Sequence, residues 1–600
     1  MKISREWLQC FFSEPLPSAD ALSDALTFHA FEIESLDGGV LDVKVTPNRG
    51  HDCLSHRGIA KEISAILNFP LKVEYHWFTN PLILEPITDK VTVSIDTSFC
   101  DRYIAGVICG VKVGPSPEWL KKLLESVGQK SINNIVDAAN YVMFSIGQPL
   151  HAFDAGKLLV KGGKYSIRVK SARAGEKITT LDDKEYSLSE AMIIISDQNA
   201  DVSIGIAGVK GGKLAEVTNT TTDMIIESAN FDAVSVRKTA QALRLRTDAS
   251  IRFEQAISPE IAVYGMRGAA DLIIKLAGGE LLGFVDQYPK KQKDREISIS
   301  VQQVNDTLGT TLSDDEIANT FTRLGLQFEA NAGVFVVSPP FERLDLMIRQ
   351  DLSEEVGRIV GYEKIHETEL PPISRIPKVN KNFYTAENVR ENLMSQGYSE
   401  VYTSVFSDKG EREVLNKAGS EWPFLRDGLG VGLGRALKKN IQNKDILGIK
   451  EVKLFEIGTV WTTGKEEIFV CLAGENEEPT QIPLDKYVKE LPEPEDYQNL
   501  PISSLQRYKP FSRFPFIIRD IALWIPSIIK ADHVEKLIKE QAGELLVRID
   551  LFDRFEKNGK ISLAFRLVFQ SFVKTLADKD AHERMEKIYE EVKKQGWEVR

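Results

Sequence analysis

A chain of 600 residues, 42% apolar and 27% charged, has room for several globular domains and shows no bias toward disorder or a fibrous repeat. Its formal net charge of −12 argues against a protein coated in nucleic acid over its whole surface. The stretch 507–600 runs the other way, with 19 Lys+Arg against 15 Asp+Glu, so phosphate contacts are expected at that end.

Residues 1–80 predict a small α+β domain. Ser18 leads into a helix over ALSDALTFHA, a strand VLDVKVTP runs into the turn NRGHD, and GIAKEISAILN carries apolar residues at helical spacing. After a linker at PLILEPITDKVTVSI, strand patterns dominate 92–290 (VTVSID, YIAGVICGVKV, KYSIRVKSA, AMIIISD), punctuated by glycine turns. Residues 295–371 predict a helical α+β module: a capped helix SDDEIANTFTRLGL, a strand VFVVSPP stopped by two prolines, and a helix DLSEEVGRIVGYEKI. ELPPISRIP links it to 376–490, where a helix, TAENVRENLMSQGY, precedes strands EVYTSVFS and VKLFEIGTVW. An acidic, proline-rich linker is expected over 477–500. The order strand, helix, strand, strand, helix, strand over 505–600 suits a ferredoxin-like sandwich. The predicted fold class is thus α+β and multidomain.

The five cysteines are sparse and contain no C-x-x-C pair, which argues against a disulfide framework or a four-cysteine zinc site. The N-terminus lacks an apolar signal core, and no apolar run approaches the ~18 residues of a membrane span. A soluble, reducing, cytoplasmic setting is expected.

Four stretches are candidates for chemistry. SINNIVDAANYVMFSIGQPLHAFDAGKL, 131–158, crowds Asn133, Asn134, Asp137, Asn140, Gln148, His151 and Asp154 among apolar residues. Buried polar groups are costly unless paired, so this is either turn chemistry plus one satisfied core histidine or a site. SIGIAGVKGG, 203–212, fits neither nucleotide loop, and its glycines suit a close backbone approach. Glu227 sits in the apolar strand MIIESANFD, either at an exposed edge or as a hydrogen-bonding group in a pocket. In ERLDLMIRQDLSEEVGRIVGY, Asp351, Glu354 and Glu355 share a helical face near Asp345. Spacing alone favours acids at a helix N-terminus; the alternative is a hard-cation site. LRDGLGVGLGRALKKN fails the dinucleotide fingerprint and is read as no ATP site.

Seven segments in order, VTPNRG, INNIVDAANYVMFSIGQPLHAFD, GIAGVKGG, ESANFDAVSVRKTAQALRLRTDASIRFE, FERLDLMIRQDLSEEVGRIVGYEKI, LFEIG and FSRFPFIIRDIAL, make the chain resemble bacterial phenylalanyl-tRNA synthetase β chains. The resemblance implies an editing domain (92–290), a reduced, non-catalytic class II synthetase-like antiparallel domain (376–490) and a C-terminal anticodon-binding domain (505–600). It assigns ATP-dependent aminoacylation to a separate α subunit within an α2β2 heterotetramer that binds tRNA(Phe), so no residue of this chain is catalytic for charging. It implies an editing pocket of Asn140, His151, Ala207, Gly208 and Glu227 that hydrolyses Tyr-tRNA(Phe), with Glu227 accepting the tyrosine hydroxyl. It also implies Mg²⁺ at Asp345, Asp351, Glu354 and Glu355, shared with α. The chain departs from the family in two places. ESLDGGVLDVKVTPNRG runs straight through where an OB-fold tRNA-binding domain is usual, and Ala139 stands where a threonine is common. A tRNA-binding scaffold with editing lost, and a free-standing trans-editing hydrolase or RNA chaperone, are the competing functions.

Overall fold

The computed structural model describes residues 1–72, 83–372, 378–416, 421–488, 511–557 and 559–600. Residues 373–377 of the linker expected at 369–377 and 489–500 of the one expected at 477–500 lie outside the described residues. The first half of the latter is not a linker, because Thr480–Pro483 pairs as an edge strand with Lys465–Gly474 and Leu484–Tyr487 is a short helix. The chain forms two compact units, 1–370 and 371–600.

Unit 1 begins with a three-stranded sheet in which Val40–Val43 lies between Lys2–Ser4 and Ile33–Asp37. Only Gly38 (φ +54°) and Gly39 (φ +87°) join the last two strands. A two-residue turn with φ > 0 at both positions matches the twist of a hairpin, and glycine adopts it without steric cost. The segment expected to run straight through is therefore a tight hairpin. The helix Ala19–His29 is capped by the Ser18 hydroxyl, and His56–Leu67 by Ser55.

The next block holds two sheets. One is antiparallel, with Cys100–Cys109 and Asp223–Phe231 at its centre and Leu150–Asp154 and Glu280–Gln287 at its edges. The other places Ile193–Asp197 between Tyr165–Ser171 and Val202–Ile206. The helices Asn134–Ile146 and Ile261–Ala277 pack together, and Ile261–Ala277 also lies on the first sheet, where the Ser228 hydroxyl donates to the carbonyl of Ala262. One continuous apolar core, including Tyr103, Ile104, Phe153, Ile225 and Met266, unites this block. The third part of unit 1 has a three-stranded sheet and the helices Val301–Leu308, Asp314–Arg323 and Arg349–Val360 around Phe321, Phe335 and Leu352.

In unit 2 the expected strand EVYTSVFS reduces to two-residue strands at Ser399–Glu400 and Phe406–Ser407. Side-chain alternation there was not matched by a full-length partner: only Ser399 and Glu400 pair with the long strand Lys453–Thr462. The glycine run of 428–434 opens a helix, Gly430–Gln442, and its glycines serve packing: a Cβ on Gly432 would sit 2.4 Å from the Thr403 hydroxyl. The C-terminal part is strand Ile517–Pro526, helix Ala531–Ala542, strands Leu546–Lys557 and Lys560–Phe569, helix Asp578–Lys594 and strand Glu598–Val599, a split β-α-β sandwich as predicted. Among the described residues no helix is long and apolar enough to cross a membrane.

Candidate functional site

Most of the polar residues in 131–158 are structural. Asn133 caps its helix by accepting from the N–H groups of Ile135 and Val136. Asp137 accepts from the hydroxyls of Ser116 and Ser131 and from the N–H of Ile132. The Gln148 amide donates to the Ala229 carbonyl, and Asp154 accepts from Thr221. The turn-chemistry reading thus accounts for Asn133, Asp137 and Asp154 and for the Gln148 amide nitrogen, but not for the buried Gln148 Oε1 or for the histidine. His151 is not satisfied: its Nε2 is buried and has no hydrogen-bond partner among the described residues. Such orphans are rare in folded proteins and call for an explanation. Burial pushes the ring down to about 4, so His151 is neutral at physiological pH.

His151 and Glu227 are opposite one another on adjacent antiparallel strands, so their side chains leave the same face of the sheet. The Glu227 strand is interior and the residue is only 6% exposed, which removes the edge-strand alternative. Tyr103, on the other neighbouring strand, donates its hydroxyl to Glu227 Oε2 at 2.8 Å. Burial pushes the Glu227 carboxyl up to about 7, against the opposing effect of the Tyr103 hydrogen bond.

The glycine-rich loop closes over this face. A Cβ on Gly208 (φ +68°) would come 2.8 Å from Val236 and 3.2 Å from Phe231, while one on Gly211 would lie 2.3 Å from the His151 ring. Ala207 is buried beside Gly208. Gly211, which sequence reasoning missed, is the position that decides how close the loop comes to the histidine. Replacing Gly211 with Ala is expected to displace the His151 ring, lower the melting temperature and change a histidine signal in an NMR spectrum; an unmoved His151 resonance would show that the loop yields instead. Asn140 is half-buried in the helix that leads into the His151 strand. No hydrogen bond among the described residues joins it to His151 or Glu227.

The acidic motif is built differently. Asp345, Asp351, Glu354 and Glu355 all line one cavity of about 530 Å³, with Asn48, Arg49, His51 and Arg358. Two of these carboxylates are held by arginine. Arg343 donates through Nε and Nη2 to both oxygens of Asp345, at 3.0 and 2.7 Å, and through Nη1 to Glu355 at 3.0 Å. Arg358 takes both oxygens of Glu355, at 2.8 and 2.6 Å, and reaches Glu62 at 2.6 Å. Arg49 pairs with Asp52 and with Glu62 at 2.6 Å, and His51 Nε2 lies 3.1 Å from Asp345.

The arginines Arg49, Arg343 and Arg358 thus face the acids Asp52, Glu62, Asp345 and Glu355 in a buried network joining the N-terminal part to the helix Arg349–Val360. A cation would be set against guanidinium groups at Asp345 and Glu355, so those two do not fit as Mg²⁺ ligands. Asp351 uses Oδ2 to accept from the N–H groups of Met347 and Ile348, and exposed Glu354 is unengaged among the described residues. No group of three or more His, Cys, Asp or Glu able to hold a metal occurs among the described residues.

Burial alone would raise the Glu62 carboxyl, but Arg358 and Arg49 outweigh it and hold it at about 2. Glu342, beside Lys61 and Arg57, is held at about 2 for the same reason. Depressed acids stabilise the fold above their unfolded-state pKa and lose that contribution as pH falls through the folded value. The melting temperature is therefore expected to fall steeply from about pH 4.5 to about pH 2. A flat acid limb in calorimetry would contradict the network.

The face of the C-terminal sheet away from its helices carries Trp524 edge-to-face with Phe555 at 6.2 Å and Arg566 over Phe552 at 5.4 Å, with Arg566 also paired to Asp520 and to Asp445 at 2.9 Å.

Three family models match the chain: a B3/4 domain over 99–278, a tRNA synthetase B5 domain over 297–362 and a ferredoxin-fold anticodon binding domain over 512–600. The chain is 31% identical to the phenylalanine–tRNA ligase β subunit of Bacillus cereus strain ATCC 14579, covering 100% of this chain and 84% of that one. The chain belongs to the phenylalanine–tRNA ligase β-subunit family. Identity is 31% to the Bdellovibrio bacteriovorus β subunit, over 94% of this chain and 81% of that one, and 33% to the Moorella thermoacetica β subunit, over 94% and 80%. A solved N-terminal β-subunit fragment from Pyrococcus horikoshii covers 60% of this chain at 15% identity and a TM-score of 0.36.

The family resemblance drawn from seven sequence segments is thereby shown, as are its implications of a synthetase subunit in protein biosynthesis and a mixed α/β multidomain fold with a tRNA-binding C-terminal module. The alignment with the Bacillus subunit runs over 699 positions, more than the 600 residues of this chain, so the relatives carry insertions that it lacks. The B3/4 match encloses His151, Ala207, Gly208 and Glu227; the B5 match encloses Asp345, Asp351, Glu354 and Glu355.

Proposed function

We propose that this β subunit assembles with an α subunit as an α2β2 heterotetramer in the cytoplasm. In that assembly α charges tRNA(Phe) with phenylalanine using ATP and Mg²⁺, and β binds the tRNA and hydrolyses Tyr-tRNA(Phe). The proposed parts are an N-terminal domain (1–80), an editing domain (92–290), a helical module (295–371), a reduced non-catalytic synthetase-like domain (376–490) and an anticodon-binding domain (505–600). The buried, unpartnered Nε2 of His151 opposite Glu227 carries the editing reading. Ser145 Oγ and Gln148 Oε1 in the same stretch are also buried without a partner among the described residues, but His151 is the one set opposite Glu227.

In the proposed reaction water adds to the ester carbonyl and the bond to the ribose oxygen breaks, releasing tyrosine and free tRNA. A histidine near pKa 4 is a weak general base, so His151 serves as the acceptor that orients the attacking water, while Glu227 accepts the phenol hydrogen. Asn140, Ala207 and Gly208 complete the proposed wall. The need for such a site is physical: a pocket lined for phenylalanine rejects a side chain larger by one hydroxyl by only about 10²-fold, so a second, hydrolytic sieve adds selectivity. The motif carboxylates that retain oxygens for a shared Mg²⁺ are Asp351 and Glu354.

Trp524, Phe555 and Phe552 on a face with arginine suit base stacking, which supports tRNA contact at the C-terminal domain. The scaffold alternative rests on Ala139, a buried methyl where a hydroxyl is common in the family. Co-expression with the α subunit of the same genome, followed by phenylalanylation and by hydrolysis of preformed Tyr-tRNA(Phe), separates the readings. Charging with hydrolysis supports the full proposal, and charging without hydrolysis leaves the scaffold.

A further inference from the structure

A phenol already sits on Glu227, and it belongs to the protein. Tyr103 is fully buried, lies two residues along its strand from Ala105, the register partner of Glu227, and donates to Oε2 at 2.8 Å. A carboxylate has two oxygens and about four lone-pair sites, so one bound phenol leaves acceptor capacity for another. A buried carboxylate with no internal donor would be free to rotate and costly to keep, and its orientation would then be set by whatever entered. The Tyr103 ring, packed among the core residues of its sheet, removes that freedom.

We propose that Tyr103 is a positioning residue for substrate discrimination: its hydroxyl anchors one oxygen of Glu227 so that the other is presented to the phenol of a tyrosyl ester. The inference rests on the editing reading above. The phenol end of the substrate is remote from the ester, so the anchored carboxylate contributes to binding in ground and transition states alike. Loss of the anchor is read in KM and leaves kcat little changed.

The test is Tyr103→Phe in the assembled αβ enzyme, with Tyr-tRNA(Phe) and Phe-tRNA(Phe) as parallel substrates. Loss of one hydrogen bond, about 1 kcal/mol, raises KM for Tyr-tRNA(Phe) about fivefold, with no matching change for Phe-tRNA(Phe). The pH midpoint of the Tyr/Phe hydrolysis ratio moves upward, because the Glu227 carboxylate has lost a donor. Combining the change with Glu227→Gln adds nothing to Glu227→Gln alone. Incorporation of 3-fluorotyrosine at the Tyr103 position, which strengthens the donor without altering packing, moves the midpoint downward and serves if Tyr103→Phe folds poorly. An unchanged ratio and midpoint in both variants, with the ratio lost in Glu227→Gln, overturns the role of Tyr103 and leaves editing intact. A wild-type enzyme that hydrolyses neither ester overturns the editing reading and this inference together.

Discussion

Replacing Arg358 with alanine is expected to destabilise the N-terminal unit by about 3–5 kcal/mol, the cost of breaking a buried ion pair from one side. Arg358 holds Glu62 on the helix His56–Leu67 and Glu355 on its own helix, and its guanidinium also reaches the carbonyl of His29. Without it the carboxylates Asp52, Glu62, Asp345 and Glu355 share only Arg49 and Arg343. Because the penalty comes from uncompensated charge, adding Glu62→Gln and Glu355→Gln to Arg358→Met should recover much of the loss. Urea unfolding of the three variants, followed by tryptophan fluorescence, measures this. Full destabilisation by the triple variant would show that packing of the arginine stem, not charge, is the source. The same experiment with a chelator bears on the acidic motif. If Asp345 and Glu355 act as counter-ions to arginine, removing divalent cations leaves the midpoint of an Asp351→Ala, Glu354→Ala variant unchanged, whereas a fall in that variant would make Asp345 and Glu355 ligands.

The arginines explain where sequence reasoning stops. Asp345, Asp351, Glu354 and Glu355 stand out as a cluster in one short segment. Arg49 and Glu62, which complete the network around Arg343 and Arg358, lie some 300 residues away, and nothing in helical spacing announces them. Arg343 and Arg358 are visible in the same segment, but a charge pattern does not say which acid faces solvent and which faces a guanidinium; burial of Glu355 against exposure of Glu354 decides that.

The elements themselves were legible wherever a residue's local preference and its burial agreed. Ser18 and Ser313 cap the helices predicted to follow them, and the strands and helices of the C-terminal sandwich come in the order read. EVYTSVFS failed because a strand needs one partner along its length, and its two ends pair with different strands, Glu400 with Lys453–Thr462 and Phe406–Ser407 with Phe424–Leu425. At the face proposed for editing, His151 and Glu227 were picked out from motif and composition. Tyr103 was not, and the 203–212 glycine run did not single out Gly211: their importance arises from strand register and loop closure, which are long-range facts.

Glu227→Gln is expected to abolish most of the preference of the enzyme for Tyr-tRNA(Phe) over Phe-tRNA(Phe). A buried acceptor left unpaired costs about 1–3 kcal/mol, which corresponds to roughly 5- to 150-fold in the hydrolysis ratio between a substrate that pairs with Glu227 and one that does not. The pH dependence of that ratio identifies the group. Ester hydrolysis itself accelerates with hydroxide, but both substrates share that term and it cancels in the ratio. What remains is the titration of Glu227, whose carboxyl is pushed up to about 7 by burial, so preference for tyrosine should increase through neutrality as the stronger, ionised acceptor forms. A stability measurement supports the assignment independently of activity. An acid with a raised folded-state pKa binds its proton more tightly in the native state, so it costs stability as pH rises from about 4.5 to about 7. Glu227→Gln, which has no proton to lose, should therefore melt higher than wild type at pH 8 and lose that advantage at pH 4. If the ratio collapses but the two proteins respond to pH alike, Glu227 contacts the phenol without titrating, and the discrimination comes from shape and hydrogen bonding alone.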